Sequence, residues 1–277
     1  MTEIEDGVEA LLRASSRAVR RRVIELAYSS KSGHIGSSLS CTDLLVALYE
    51  RFLRLDSRRP QAPERDRFIM SKGHACVPYY CCLERAGLLP AKALEAYGED
   101  GGVLGHHPDA SPEFGIELGT GSLGHGLSVG AGIAFAAKLL GASFRTVVMM
   151  SDGEQNEGTV WEAAMFASHH RLGSLLGIVD VNKMQALGHS ADVVCLEPLD
   201  QRWRSFGWGV RRIDGHDVAQ ILGALDDFPF EDGRPSVIIA DTVKGKGVSF
   251  MEDSLLWHYR CPDAREFEAA LAELDHA

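Results

Sequence analysis

Two side chains that carry oxygen ligands follow two short apolar segments near the middle of the chain. Asp152 comes directly after the apolar segment 146–151, and Gly153 permits a tight turn after it. Asn182 follows the next apolar segment, 175–181, thirty residues after Asp152. If both segments are parallel strands, both side chains leave the sheet at the same carboxyl edge, where α/β folds bind their ligands. Either residue alone would be an ordinary turn residue, but the pair at this spacing favours a ligand site.

The oxygens of Asp152 and Asn182 form an incomplete site for a divalent cation. Mg²⁺ and Ca²⁺ prefer oxygen ligands and take about six or more of them. One carboxylate and one neutral amide oxygen suit a cation whose other ligands come from a diphosphate, water and a backbone carbonyl. We therefore expect Mg²⁺ (or Ca²⁺) here, bound together with a diphosphate.

The elements that would position these side chains are short apolar segments alternating with segments of helical spacing. The predicted strands are 67–71, 146–151, 175–181, 208–213 and 236–241, and the connecting helices are 75–87, 124–140, 158–171, 198–206 and 218–228. The middle strands are apolar on both faces, as in a buried parallel sheet, and the connections have the length that βαβ crossovers require. Two amphipathic helices, 8–29 and 42–52, precede them. The sequence predicts an α/β fold, a doubly wound, mainly parallel sheet with helices on both faces.

The composition excludes several classes of protein. With 45% hydrophobic and 24% charged residues among 277, the chain has the average composition of globular domains rather than that of disordered or fibrous ones. Its net charge of −11 argues against nucleic acid and anionic membranes as partners. No apolar run approaches the ~20 residues that cross a bilayer, and the first residues do not resemble a signal peptide. We expect a cytoplasmic protein.

The segment SDGEQNEG (151–158), followed by VDVNK (179–183), resembles the thiamine diphosphate fingerprint of the transketolase family, G-D-G followed about thirty residues later by Asn. Six further motifs extend the resemblance along nearly the whole chain: SGHIGSS (32–38), SKGHA (71–75), GHHPD (105–109), GTGSLGHGLS (119–128), FGWGV (206–210) and KGKGVSFMEDSLLWH (244–258). Four residues depart from the family pattern: Ser151 and His106 replace glycines, His125 replaces a glutamine, and Tyr259 replaces the glycine of WHG.

The resemblance implies a role for each matching residue. The implied metal ligands are Asp152, Asn182 and the backbone of Met184. The implied cofactor contacts are His74, Gly121, Ser122, Leu123, Gly153, Glu154, Asn182 and Lys244. The implied catalytic residues are His34, His74, His107 and His258, which would line the substrate channel, and Glu157, which would join a proton network between paired active sites. Lys246 flanks the same loop as Lys244, and both lysines could instead be solvated.

GTGSLG (119–124) also fits the G-x-G-x-x-G pattern of dinucleotide-binding proteins. That interpretation needs a strand before the first glycine and an acidic residue about twenty positions after the last. The sequence before Gly119 does not resemble a strand, and the next acidic residue after Gly124 is Asp152. The pattern therefore disfavours a dinucleotide site. The resemblance implies instead that the backbone around Gly121 and Leu123 contacts the aminopyrimidine ring of the cofactor.

In that family, the acid that activates the cofactor's aminopyrimidine ring belongs to a pyrimidine-binding domain, which no segment here resembles. We therefore expect residues 1–277 to form a single diphosphate-binding domain with N-terminal helices. The chain would be the N-terminal subunit of a split, two-chain transketolase. It would transfer a two-carbon ketol unit from a ketose (phosphate) donor to an aldehyde acceptor.

The expected partner is a C-terminal transketolase subunit carrying the pyrimidine-binding and C-terminal domains, in a heterotetramer with two copies of each chain. The expected small-molecule partner is a sugar or sugar phosphate. Two alternatives stay open, the alpha subunit of a 2-oxo-acid dehydrogenase and a scaffold subunit without catalytic activity. The motifs SKGHA and WH disfavour a deoxyxylulose phosphate synthase.

Overall fold

A computed structural model describes residues 3–276, with side chains from residue 7 onward. Its strands are β1 Arg67–Met70, β2 Thr146–Ser151, β3 Leu175–Val181, β4 Met184–Gln185, β5 Gly188–His189, β6 Gly209–Asp214 and β7 Ser236–Asp241. Five of them form one parallel sheet in the order β1-β2-β3-β7-β6, and β4 pairs with β5 in a small antiparallel ribbon. The predicted strands agree with the five strands of the large sheet to within one residue.

The α-helices are α1 Glu3–Ser30, α2 Ile35–Ser40, α3 Thr42–Ala47, α4 Cys76–Arg85, α5 Ala91–Glu95, α6 His125–Leu140, α7 Gly158–His169, α8 Ser190–Val194, α9 Leu199–Ser205, α10 Val218–Asp226 and α11 Ala264–His276. A π-helical turn, Leu48–Phe52, follows α3. Short 3₁₀ segments occur at Gly73–Ala75, Pro112–Phe114, Gly153–Asn156 and Leu255–His258. Helices α4, α6, α7, α9 and α10 are the predicted connections between strands.

Helices cover both faces of the sheet. Alternate residues of each strand point to opposite faces, and because both sets are apolar, each face packs against its own layer of helices. In β2, Val147 and Met149 pack into one buried cluster with residues of α1, α3, α4 and α10. Val148 and Met150 pack into a second cluster with residues of α6, α7 and α9. These two cores confirm the predicted doubly wound α/β architecture.

The predicted helix 42–52 is confirmed in its bounds by α3 and the π-helical turn, but the helix changes type at Leu48 and a separate short helix, α2, precedes it. Helix α2 occupies a polar segment between the two predicted N-terminal helices, where the sequence pattern predicts no helix. The hydroxyl of Ser38 donates to the carbonyl of His34, that of Ser40 to Ser37, and that of Thr42 to Ser38. These bonds satisfy the polar side chains inside the helix, so a segment without apolar periodicity is fully buried.

Among the residues that the structure describes, no helix is both long enough and apolar enough to cross a membrane.

Candidate active site

Asp152 and Asn182 leave adjacent strands at the same edge of the sheet. Ser151 of β2 is paired in register with Asp180 of β3, so the two following turns start side by side. The Asp152 carboxylate accepts hydrogen bonds from the Gly153 N–H (2.8 Å) and the Ser190 hydroxyl (2.9 Å). Burial raises the pKa of Asp152 to about 6, so the folded chain disfavours its negative charge. A cation placed here would offset that cost.

The donor set around this edge fits a hard cation that is shared with another ligand. It consists of the Asp152 carboxylate, the Asn182 amide oxygen and the backbone carbonyl of Met184, whose N–H donates to Asn182 Oδ1 (3.2 Å). Across the described part of the chain, no group of three or more His, Cys, Asp or Glu side chains could hold a metal ion. The protein oxygens are too few for a complete site, and diphosphate oxygens would complete it.

Lys72 and Asp180 form a fully buried ion pair beneath this edge, and both side chains are 0% exposed. Asp180 also accepts hydrogen bonds from the hydroxyls of Ser40 (2.7 Å) and Thr242, and from the Asn182 amide (3.2 Å). Burial alone would raise the pKa of Asp180, but the Lys72 ammonium and these donors hold it below its ordinary value. The pair therefore anchors the base of the site.

The sequence motifs do not single out Lys72 and Asp180, although one signal for the pair is present. Asp180 is the single charged residue in the otherwise apolar strand LLGIVDV. A carboxylate inside a buried strand must be paired or hydrogen-bonded, because an isolated buried charge is very costly. The motif SKGHA contains the lysine that serves as its partner.

Lys244 reaches the site and Lys246 does not. The Lys244 side chain is buried, and its Nζ lies 3.2 Å from His258 Nδ1 and 3.3 Å from both the Ser37 hydroxyl and the Met184 carbonyl. Burial and the nearby Lys72 charge lower the pKa of Lys244 to about 8. Lys246 instead lies 3.5 Å from Glu252 in a half-exposed ion pair. The geometry therefore favours Lys244, and not Lys246, as a contact for an anionic ligand.

The four histidines predicted for the channel come together in one cluster, His34, His74, His107 and His258. The ring centre of His34 lies 5.3 Å from that of His74, 6.0 Å from that of His107 and 5.0 Å from that of His258. Burial and neighbouring cationic groups lower the pKa of His34 to about 4 and that of His258 to about 3. These two imidazoles are therefore neutral near pH 7, with one nitrogen to donate and one to accept a hydrogen bond.

His34 is held in a backbone conformation that is uncommon for residues other than glycine, with φ of 62°. Its N–H donates to the His258 carbonyl at 3.1 Å, which joins the two loops that carry these rings. Next to it, a Cβ added at Gly33 would lie 3.0 Å from the Tyr259 carbonyl oxygen. The SGHIGSS and WHY motifs thus pack directly against each other.

The glycine-rich loop lies against the histidine cluster at His107. A Cβ added at Gly121 would lie 3.0 Å from the His107 ring, so a larger residue would push the two apart. Ser122 is exposed and Leu123 is half-buried beside it, where a ligand or a second chain can reach them. The loop leads directly into α6 without forming a strand before Gly119, contrary to the dinucleotide interpretation.

The side chain of Glu154 turns inward and joins three predicted site motifs. Its fully buried carboxylate accepts hydrogen bonds from the Ser71 hydroxyl, the Gly124 N–H (2.8 Å) and the Ser151 N–H (3.2 Å). The Ser151 hydroxyl in turn accepts the Glu154 N–H at 3.2 Å. Ser151, which replaces a glycine of the family pattern, therefore helps to hold Glu154 in place. The Glu154 carboxylate in turn supports the glycine-rich loop through the Gly124 N–H.

The remaining predicted site residue, Glu157, and three residues that depart from the family pattern, His106, His125 and Tyr259, are exposed. Glu157 is exposed at the residue before α7. His106 is exposed, with its ring centre 5.4 Å from that of Tyr97, and His125 Nδ1 lies 3.2 Å from the Leu123 carbonyl. The Tyr259 hydroxyl donates to the carbonyl of Ala186, which fixes the WHY motif to the turn between β4 and β5.

Comparison with known proteins identifies the family of the chain. Residues 13–269 match the family model described as transketolase, thiamine diphosphate binding domain. An apulose-4-phosphate transketolase subunit of Phocaeicola vulgatus is 41% identical over 263 residues, which cover 95% of this chain and 93% of that one. The 6-deoxy-6-sulfo-D-fructose transketolase subunit of Clostridium sp. is 39% identical over 264 residues, which cover 95% and 96% of the two chains.

Solved transketolase structures resemble this chain over nearly its whole length, but the solved proteins are longer. The transketolase from Leishmania mexicana has a TM-score of 0.90 at 25% identity, covering 95% of this chain and 41% of that one. The transketolase from Campylobacter jejuni has a TM-score of 0.88 at 26% identity, covering 96% and 43%. This chain therefore spans about two fifths of the length of these solved enzymes. Since the family model matches most of its residues, the chain belongs to the transketolase family and carries that family's thiamine diphosphate-binding domain.

Proposed function

We propose that this chain is the diphosphate-binding subunit of a two-chain transketolase, which moves a two-carbon ketol unit from a ketose (phosphate) to an aldehyde. The observation that carries this proposal is the meeting of two groups at one sheet edge. Oxygen ligands follow β2 and β3, and Lys244 links them to the four clustered histidines through its contacts with Met184 and His258. A cation-bound diphosphate and a hydroxyl-bearing substrate are the ligands that suit such an edge.

The residues around the edge divide between the two ends of the cofactor. Asp152, Asn182 and the Met184 carbonyl would hold Mg²⁺ (or Ca²⁺), which in turn holds the diphosphate. His74, Gly153 and Lys244 would contact the diphosphate, and the loop Gly121–Leu123 would contact the aminopyrimidine ring. Glu154, whose N–H already donates to the Ser151 hydroxyl and whose carboxylate is buried, would support that loop. When bound, thiamine diphosphate supplies the nucleophilic carbon and accepts the electron pair released from the ketose.

The chain's own contribution to the chemistry is orientation and proton transfer. Neutral imidazoles of His34 and His258 can hydrogen-bond the hydroxyls of donor and acceptor, and His107 at the exposed side of the cluster can move a proton to or from them. We assign Glu157 to a proton network with a second active site, because its exposed position at the start of α7 suits an interface.

The names of the relatives support a partner chain, because three of them are called subunits of a transketolase. We propose a C-terminal subunit with a pyrimidine-binding domain, in a heterotetramer with two copies of each chain. The relatives' names include a sugar phosphate and a sulfosugar, which supports a sugar with an anionic end as substrate. The cytoplasm stays the predicted compartment.

Thiamine diphosphate should bind only in the presence of a divalent cation. Bringing a charged diphosphate to a chain of net charge −11 and to the buried Asp152 carboxylate is unfavourable without one. The test is calorimetric titration of thiamine diphosphate into the chain with its partner subunit, with Mg²⁺, with Ca²⁺ and with a chelator. Equal affinity with and without the cation would contradict the proposed site.

Replacing His107 by alanine should lower turnover by about 10²–10⁴ while leaving cofactor affinity within about tenfold, because a general acid–base group typically contributes that much to the rate. His169→Ala, at the exposed end of α7, is the matched control and should change neither quantity. Steady-state kinetics and cofactor titration measure the two effects separately. A loss of cofactor affinity with unchanged turnover per bound cofactor would reverse the assignment of His107 to the substrate.

A further inference from the structure

His216 lies outside the motifs quoted above, in the turn between β6 and α10. Its Nδ1 is 2.8 Å from Asp43 Oδ2, and its Nε2 accepts the N–H of Val243 at 2.9 Å. The side chain is only 12% exposed. Val243 immediately precedes Lys244, so this imidazole touches the backbone of the segment that enters the proposed cofactor site.

The hydrogen bonds define which nitrogen of His216 carries the proton. A backbone N–H can only donate, so Nε2 must be the unprotonated acceptor and Nδ1–H must donate to Asp43. Asp43 is fixed in turn by Arg20, which contacts both carboxylate oxygens at 2.9 and 2.6 Å. Burial would raise the pKa of Asp43, but the guanidinium beside it holds that pKa well below its usual range. The ring is therefore held on one side by a permanent anion.

Other hydrogen bonds also tie the segment 242–246 to the protein, and one of them holds Lys244 itself, whose carbonyl accepts the Asp253 N–H at 2.9 Å. The Thr242 hydroxyl donates to Asp180, and the Thr242 N–H donates to the Val181 carbonyl at 3.0 Å. The Gly245 N–H donates to the Gly36 carbonyl at 3.0 Å. Between these ties, the Val243 N–H has His216 as its partner. Loss of that partner would leave a half-buried donor unsatisfied one residue from Lys244.

We propose that His216 is a positioning residue: its Nε2 holds the Val243 backbone and thereby sets the Lys244 ammonium against the diphosphate. The proposal rests on the proposed function, in which Lys244 contacts the cofactor. The buried Arg20–Asp43 pair serves as the support that keeps the ring in place. His216 itself touches neither cofactor nor substrate.

Two amide variants separate the two hydrogen bonds of the ring. The short side chain in His216→Asn can still donate to Asp43 but is too short to accept from Val243, whereas the longer His216→Gln can place its amide oxygen near the position of Nε2. The affinity for thiamine diphosphate with Mg²⁺ is measured by calorimetry on the chain with its partner subunit. His276→Asn, exposed on α11, is the control.

We expect His216→Asn to weaken cofactor affinity about tenfold and His216→Gln to stay within about threefold, at similar melting temperatures. In the Lys244→Met background, His216→Asn should add no further loss of affinity, because its effect acts through Lys244. A merely structural role would give additive losses that follow the melting temperature in both variants, and this would overturn the proposal.

Failure of the inference differs from failure of the proposed function. If Lys244→Met weakens cofactor binding and His216→Asn does not, His216 has no positioning role while the site assignment stands. If Lys244→Met leaves the affinity unchanged, the assignment of Lys244 to the diphosphate is wrong, and the positioning role of His216 is wrong with it.

Discussion

Asp152→Ala is expected to abolish binding of thiamine diphosphate, with a loss of affinity of at least about a hundredfold, since even changes around metal ligands cost 10–100-fold. Asp152 is the only carboxylate among the proposed cation ligands. Without it, one amide and one carbonyl oxygen would remain to hold a divalent cation against an acidic chain, which is too weak a set. The cation and the diphosphate would be lost together.

This loss should occur without unfolding. Because burial raises the pKa of Asp152, the folded chain already disfavours its ionised form, and removing it takes away a buried charge. The melting temperature of the cofactor-free variant should therefore not fall by the amount expected for a broken core. Asp192→Ala, an exposed acid on the nearby helix α8, is the matched control. Equal cofactor affinity of the two variants would show that Asp152 is not a ligand.

Lys72→Met is expected to destabilise the chain by about 3–5 kcal/mol, because it leaves a buried carboxylate without its counter-charge. Asp180 is 0% exposed and would keep only neutral donors, the hydroxyls of Ser40 and Thr242 and the Asn182 amide. The free energy of unfolding from urea titration measures the effect. The double variant Lys72→Met/Asp180→Asn should recover part of the loss, since it removes the unpaired charge.

Lys246→Met is the control for this second prediction. It removes a lysine whose ion pair with Glu252 is more than one-third exposed, and such pairs contribute about 0–1 kcal/mol. If Lys72→Met costs no more than this control, the Lys72–Asp180 pair is not the anchor of the site.

The sheet could be predicted from the sequence because its strands are apolar on both faces and short. That pattern placed β2 and β3 with their observed bounds, and so it also placed Asp152 and Asn182 at one edge. Helix α2 could not be predicted in the same way. It is held by hydroxyl-to-carbonyl bonds and by burial, which leave no apolar period in the sequence.

Motifs could predict which residues belong to the site, but not how their side chains are oriented. The resemblance named His34, His74, His107 and His258, and the structure brings their rings together. The direction of a side chain is a tertiary property, however. The Glu154 carboxylate points into the protein, and only the packing of α2 against the loop after β7 distinguishes Lys244 from Lys246. Contacts between distant segments, such as that of His216 with Val243, have no signature in local spacing.

Ketol transfer by the purified chain, alone and with a partner chain that carries a pyrimidine-binding domain, tests the central proposal most directly. Thiamine diphosphate, Mg²⁺, a ketose phosphate donor and an aldehyde acceptor are supplied in both arms. We expect no turnover by the chain alone, because our proposal assigns the acid that activates the aminopyrimidine ring to the partner. We expect turnover when the two chains are mixed. Cofactor binding by the mixture without turnover would favour a non-catalytic scaffold, and full turnover by the single chain would contradict the two-chain proposal.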